Sequence, residues 1–158
     1  PSLYSNMEIL STLGIEPGGT CHFPLEGWSV FAKRVGALVG RDFFQQPAVK
    51  TISPANLTRV YYSQPERDEI TLEFDQEMSF EVETAGHLYL DGEKAQVTAG
   101  RVSGNLIILK LSEHSNAERI TYLEGKRWAN SVPLLRGNNG VAALTFCNVP
   151  ILNPRKDQ

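Results

Sequence analysis

"EITLEF", residues 69–74, alternates its side chains strictly: Ile70, Leu72 and Phe74 fall on one face, Thr71 and Glu73 on the other. That period of two marks a half-buried strand, because successive Cβ atoms point to opposite sides of a sheet. Downstream, "HLYLDGEKAQV" (87–97) carries Asp91-Gly92, a dipeptide favoured in tight hairpin turns whose two central residues take positive φ. "RVSGNLIILKL" (101–111) sets Ser103, Gly104 and Asn105 between two apolar runs, and "RITYLEG" (119–125) and "GVAALTFCNV" (140–149) add more. "RGNNG" (136–140) reads as a loop. These signals predict about seven or eight short strands between residues 57 and 150, and hence a mainly β chain folded as an antiparallel β-sandwich.

Upstream the pattern changes. Trp28, Phe31, Ala32, Val35, Leu38, Val39 and Phe43 recur at the three-and-four spacing of one helix face, with Lys33, Arg34 and Arg41 elsewhere. The spacing predicts a helix over about residues 25 to 39, with Pro24 suited to its first turn. A weaker helical stretch, "NMEILSTLG" (6–14), closes at Gly14, where a left-handed cap is expected. "QQPAVKTISPANL" (45–57) holds Pro47 and Pro54 among polar residues and reads as an extended connector. The expected division is therefore a helical segment over 1–47, a linker over 48–56 and the β domain over 57–152. The helical segment is too small to bury a core alone, so it must pack on the β domain or on another polypeptide.

The chain has 158 residues, 41% of them hydrophobic and 21% charged, with a net charge of -3. Its Lys and Arg are scattered among acids, so no basic field exists to collect phosphates and nucleic acid is not an expected partner. No apolar run has the length of a membrane span and no leader pattern opens the chain, so no membrane association is expected. A first residue of Pro1 rather than Met reads as part of a longer product. Cys21 and Cys147 lie too far apart for a zinc knuckle or a CxxC pair. Two buried free thiols are expected, with a disulfide as the alternative. Met7 and Met78 read as core fillers. His87, opening a strand, and His114, in the loop "SEHSNAE", lack a second ligand at metal spacing, so neither metal nor cofactor is expected. Trp128 and Tyr61-Tyr62 could stack on sugar rings, although core packing is the commoner fate of such side chains.

"GGTCHFPLEGW" (18–28) places His22 in a glycine-rich turn at the mouth of the helix. A histidine in such a turn is most often a surface or hydrogen-bonded residue. The longer stretch "GTCHFPLEGWSVFAKRVGALVGRDFF" (19–44), however, resembles the last block of the SGNH or GDSL-type hydrolases, above all the carbohydrate acetylesterases of the sialate O-acetylesterase-like group. "LLRGNNGVAALTFCNVPI" (134–151) is similar to a C-terminal module of that group. The resemblance implies that the helical segment is the last helix of an α/β SGNH hydrolase domain and that His22 is its catalytic general base. It also implies an upstream catalytic portion as partner, an acetylated carbohydrate as substrate, and a secreted or periplasmic protein.

The chemistry fits an imidazole at that place. A serine hydroxyl is a poor nucleophile near neutral pH, and an imidazole, which titrates there, can take its proton and return it to the leaving alcohol. Two features depart from the family. Gly19 stands where the orienting Asp is usual, with Glu16 and Glu26 the nearest carboxylates. The Gly-Asp-Ser nucleophile block is missing from these residues, and Ser29 reads as a solvent-facing helix residue. Three classes stay open: the C-terminal portion of an acetylesterase, a carbohydrate-binding module, and a structural domain without ligand.

Overall fold

The computed structural model describes residues 7–15, 22–46, 52–124 and 133–154. Its β region begins where the alternating pattern does. Strand β1 (Leu57–Tyr62) pairs antiparallel with β2 (Glu69–Phe74), which pairs with β7 (Leu106–Leu111), which pairs with the edge strand β6 (Val97–Ser103). A second four-stranded antiparallel sheet has the order β10 (Phe146–Pro150), β8 (Arg119–Tyr122), β4 (Leu88–Leu90), β5 (Glu93–Lys94). The two-residue strands β3 (Met78–Ser79) and β9 (Arg136–Gly137) form a small third sheet. The chain is thus mainly β, with antiparallel sheets, one α-helix and one 3-10 helix among the described residues.

Local turn chemistry sets the registers. Asp91 and Gly92 take φ of 48° and 87°, so both central residues of the β4–β5 hairpin are left-handed, as the sequence predicts. Gly104 takes φ of 60° at the first central position of the β6–β7 hairpin, where a Cβ would be strained.

One apolar cluster draws on both large sheets. It takes Val60 and Tyr62 from β1, Ile70, Leu72 and Phe74 from β2, and Ile107, Leu109 and Leu111 from β7. Leu88 of β4 and Ile120 and Tyr122 of β8 join them. The Tyr122 ring is fully buried, and its hydroxyl oxygen accepts the Leu135 N–H at 2.8 Å. The segment after β10 links the sheets: Ile151 N–H donates to the Glu118 carbonyl at 2.8 Å, and Leu152 exchanges two 3.0 Å hydrogen bonds with β1, at Val60 and Tyr62.

Several expectations need correction. The described residues form ten strands, because the two-residue pairs are too short to carry a periodic signal. Thr71, expected on a solvent face, is 3% exposed: β2 is a central strand, and the Thr71 hydroxyl lies 2.7 Å from the Ser63 hydroxyl. His87 does not open a strand but closes the 3-10 helix Val82–His87, buried with its ring edge-on to Tyr122. "NMEILSTLG" forms no helix over its described residues 7–14. Such a short stretch is a marginal helix in water; here Ile15 is buried, Leu13 packs against the core cluster, and Gly14 turns at φ 66°. Of the expected linker, residues 52–56 are described, and Ala55 is wholly buried in the cluster.

The helix predicted from residue 25 forms as α1 (Leu25–Phe44) and runs five residues past the expected end at 39. Gly40 does not stop it; Gln45, at φ 51°, does. Pro24 is its N-cap rather than part of the first turn, and the Pro24 carbonyl accepts the first helical bond, from Trp28 N–H at 3.1 Å. No helix among the described residues is long and apolar enough to cross a membrane.

Candidate functional site

His22 lies in a bend two residues before the Pro24 cap and is exposed. The chain direction there is set by Phe23. Its ring packs edge-on to Trp28 at 5.7 Å and stacks with Phe31 at 6.5 Å, while Trp28 and Phe31 meet at 5.8 Å. Counting from Pro24, Phe23 precedes the cap and Trp28 is the fourth helical residue, the pair that forms a hydrophobic staple and fixes the angle at which a chain enters a helix. The backbone beside His22 is thereby fixed at the helix mouth, while the His22 side chain is exposed.

Its surroundings are sparse. His22 has no hydrogen-bond partner among the described residues. Gly19, Glu16 and Cys21 lie outside the described residues, as does Trp128. Glu26 and Ser29 are exposed on α1. No group of three His, Cys, Asp or Glu among the described residues could hold a metal ion.

The face of α1 that the sequence marks as apolar is largely uncovered: Trp28 is 46% exposed, Val39 39% and Phe43 78%, and the buried residues of the helix are Gly27 and Gly40. The ties between α1 and the preceding segment are polar. Arg34 donates to the Ser11 carbonyl at 2.7 Å, and Arg41 pairs with Glu8 at 2.9 Å. Partial burial pushes the Glu8 carboxyl up, but hydrogen bonds from Arg41 and Ser53 outweigh it and hold the group below its ordinary value. At Gly14, next in that segment, the side chains of Leu134 and Arg136 come so close that an added Cβ would collide with them. The helix therefore reaches the β region through a short relay of charged and backbone groups, not through its aromatic face.

The other candidates separate cleanly. Tyr62 is 1% exposed, with its hydroxyl donating to the Ala117 carbonyl at 2.8 Å, a core role. Tyr61 faces the other way, half-buried beneath the Arg59 guanidinium at 4.9 Å. It lines an open groove of about 410 Å³ with Arg59, Ser63, Glu73, Asn105 and Leu106. His114 is tied at both ring nitrogens, Nδ1 2.7 Å from the Glu66 carbonyl and Nε2 3.1 Å from Asn116 Oδ1. Cys147 is a free thiol, but exposed rather than buried, because its strand β10 forms the edge of its sheet. The sequence reading missed a second polar groove, of about 330 Å³, lined by Arg67, Asn116, Arg119 and Asn153. These residues come from three separate segments, so no spacing along the chain could have revealed them.

Set beside known protein families, curated proteins and solved structures, the chain matches none.

Proposed function

We propose that this chain is the C-terminal portion of a serine esterase that removes O-acetyl groups from carbohydrate. In this reading residues 1–47 end an SGNH-type α/β hydrolase domain, 48–56 link it onward, and 57–152 form an accessory β-sandwich. The upstream catalytic portion of the same protein supplies the nucleophile and oxyanion donors and covers α1, and the protein acts in a secreted or periplasmic setting. The observation that supports the reading is the setting of His22: an exposed imidazole at the mouth of a helix whose entry is fixed by the Phe23–Trp28 staple and whose aromatic face lacks a cover among the described residues. His22 would take the serine proton and return it to the leaving sugar hydroxyl.

The test is a fluorophosphonate probe, which reacts only with an activated serine, applied to the longer protein. Labelling of a serine upstream of Pro1, together with hydrolysis of an acetylated sugar, both lost in His22→Ala, is the expected outcome. Labelling and turnover that survive His22→Ala overturn the reading. The 158-residue chain alone should hydrolyse p-nitrophenyl acetate no faster than free imidazole, since a base without a nucleophile and oxyanion donors forms no acyl intermediate.

A second reading, a carbohydrate-binding module, draws on the Tyr61 groove, where an aromatic ring sits beside Arg59, Glu73 and Asn105. Saccharide binding by the chain that is lost in Tyr61→Ala, with no esterase activity in the longer protein, would favour it.

A further inference from the structure

We propose that the groove walled by Arg67, Asn116, Glu118, Arg119 and Asn153 binds the carboxylate of a small, hydroxyl-bearing acid. This site is independent of His22 and of the esterase reading. Its volume, about 330 Å³, lies at the small end of the range that ligand sites occupy.

Three segments converge on it: the β1–β2 loop brings Arg67, the β7–β8 loop and the start of β8 bring Asn116 and Arg119, and the segment after β10 brings Asn153. Both guanidiniums are positioned by neutral partners. Arg67 lies over the Tyr62 ring at 5.3 Å and donates through Nη2 to Asn153 Oδ1. Arg119 donates through Nη1 to the Asn148 carbonyl at 3.0 Å. Neither takes part in an ion pair among the described residues, and each keeps further N–H groups uncommitted.

The two amides point to the same chemistry. Asn153 engages its oxygen with Arg67, and Asn116 lies with its oxygen toward His114, so both amide nitrogens are left without an acceptor among the described residues. The walls thus offer two cations and two neutral donors, the forked donor set that matches a carboxylate. Glu118 is the one acid of the wall, and it pairs with neither arginine. It would repel a second negative charge but can accept a hydroxyl, which is why the ligand carries one carboxylate together with hydroxyl groups.

The backbone is also unusual here. Arg67 and Asn148, one supplying a guanidinium and the other holding the second by its carbonyl, are non-glycine residues at φ of 51° and 52°. Arg67 is kept there by its own N–H to the Gln64 carbonyl at 3.1 Å and by the Ser115 N–H to its carbonyl at 3.0 Å. Left-handed backbone is costly at a residue such as Arg67, whereas Asn adopts it readily, and costly backbone of this kind is a recurrent feature of ligand sites.

The test is NMR titration of the full chain with D-glucuronate, D-glucose and inorganic sulfate. Glucuronate should shift the amide resonances of Arg67, Asn116, Arg119 and Asn153, while glucose should not, and sulfate should bind about tenfold more weakly because Glu118 repels its second negative charge and it carries no hydroxyl for that carboxylate to accept. Asn153→Asp sets a carboxylate against Arg67 and should weaken glucuronate by about tenfold or more through like-charge repulsion, with the fold kept by the new ion pair. Unchanged thermal unfolding of that variant separates lost binding from lost structure, and Arg119→Gln is the second variant, weakening glucuronate without placing an acid in the groove. No shift with glucuronate, equal shifts from glucose, sulfate binding as tightly as glucuronate, or full glucuronate affinity in folded Asn153→Asp and Arg119→Gln would each overturn the proposal.

Discussion

Helix α1 and strand β2 carry equally clear apolar patterns and meet opposite fates. In β2, Ile70, Leu72 and Phe74 are each at most 1% exposed, flanked by β1 and β7 and facing the common cluster. In α1, Trp28 and Phe31 pack on each other and on Phe23, whereas Phe43 and Phe44 meet solvent, and the helix is moored by Arg34 and Arg41. The difference teaches that periodicity reports which face of an element is apolar, but not whether this chain supplies the surface to cover it. Burial removes about 25 cal/mol of cost for every Å² of apolar area taken from water, so an uncovered stripe of this kind is a liability unless another surface meets it.

Substitutions can break the comparison or sharpen it. The largest effect belongs to β2: Leu72→Ala should lower the unfolding free energy by about 2–5 kcal/mol in chemical denaturation, because the site is wholly enclosed. A loss well below that range would mean that the cluster is loosely packed.

Tyr122→Phe comes next. It leaves the Leu135 N–H without its acceptor in a buried place and should cost about 1–3 kcal/mol near neutral pH. Burial also pushes the Tyr122 hydroxyl up to about 12 from an ordinary value of 10.0, against an opposing hydrogen bond from Leu135. Between those values the unfolded chain gives up a proton that the folded chain keeps. Stability from this group is therefore complete below about pH 10 and lost as pH rises through about 12, and the gap between the two proteins should narrow over that interval. Parallel alkaline stability curves would contradict this.

Phe31→Ala should be the mildest of the three, about 1 kcal/mol, since the ring loses aromatic contacts with Phe23 and Trp28 and little enclosure. A cost like that of Leu72→Ala would place Phe31 in a true core and erase the contrast between the two regions.

Much of the β region was legible because its signals are local. The alternation in "EITLEF", the Asp91-Gly92 turn and Gly104 each act within a few residues, and each appears where the sequence puts it. What depended on distant partners was not legible. Thr71 is buried by belonging to a central strand, residues 7–14 are drawn from a helical path by the core their neighbours Leu13 and Ile15 join, and Cys147 is exposed by lying on an edge. At the candidate site, the helix could be read from spacing, the Phe23–Trp28 contact emerges only in the structure, and the role proposed for His22 rests on resemblance alone. The Arg67–Arg119 groove gave no signal at all, since the β1–β2, β7–β8 and post-β10 segments meet only after folding.

On the proposed reading, the aromatic face of α1 is covered by an upstream catalytic portion of the same protein. Hydrogen exchange followed peptide by peptide, in the 158-residue chain and in the longer protein, tests this most directly. In the chain alone, amides of Leu25–Phe44 should exchange at least about a hundredfold faster than those of Glu69–Phe74, because the helix can open without disturbing the cluster. In the longer protein the same helix should gain protection approaching that of β2. A helix as protected as β2 in the chain alone, or one that gains nothing in the longer protein, would contradict the account.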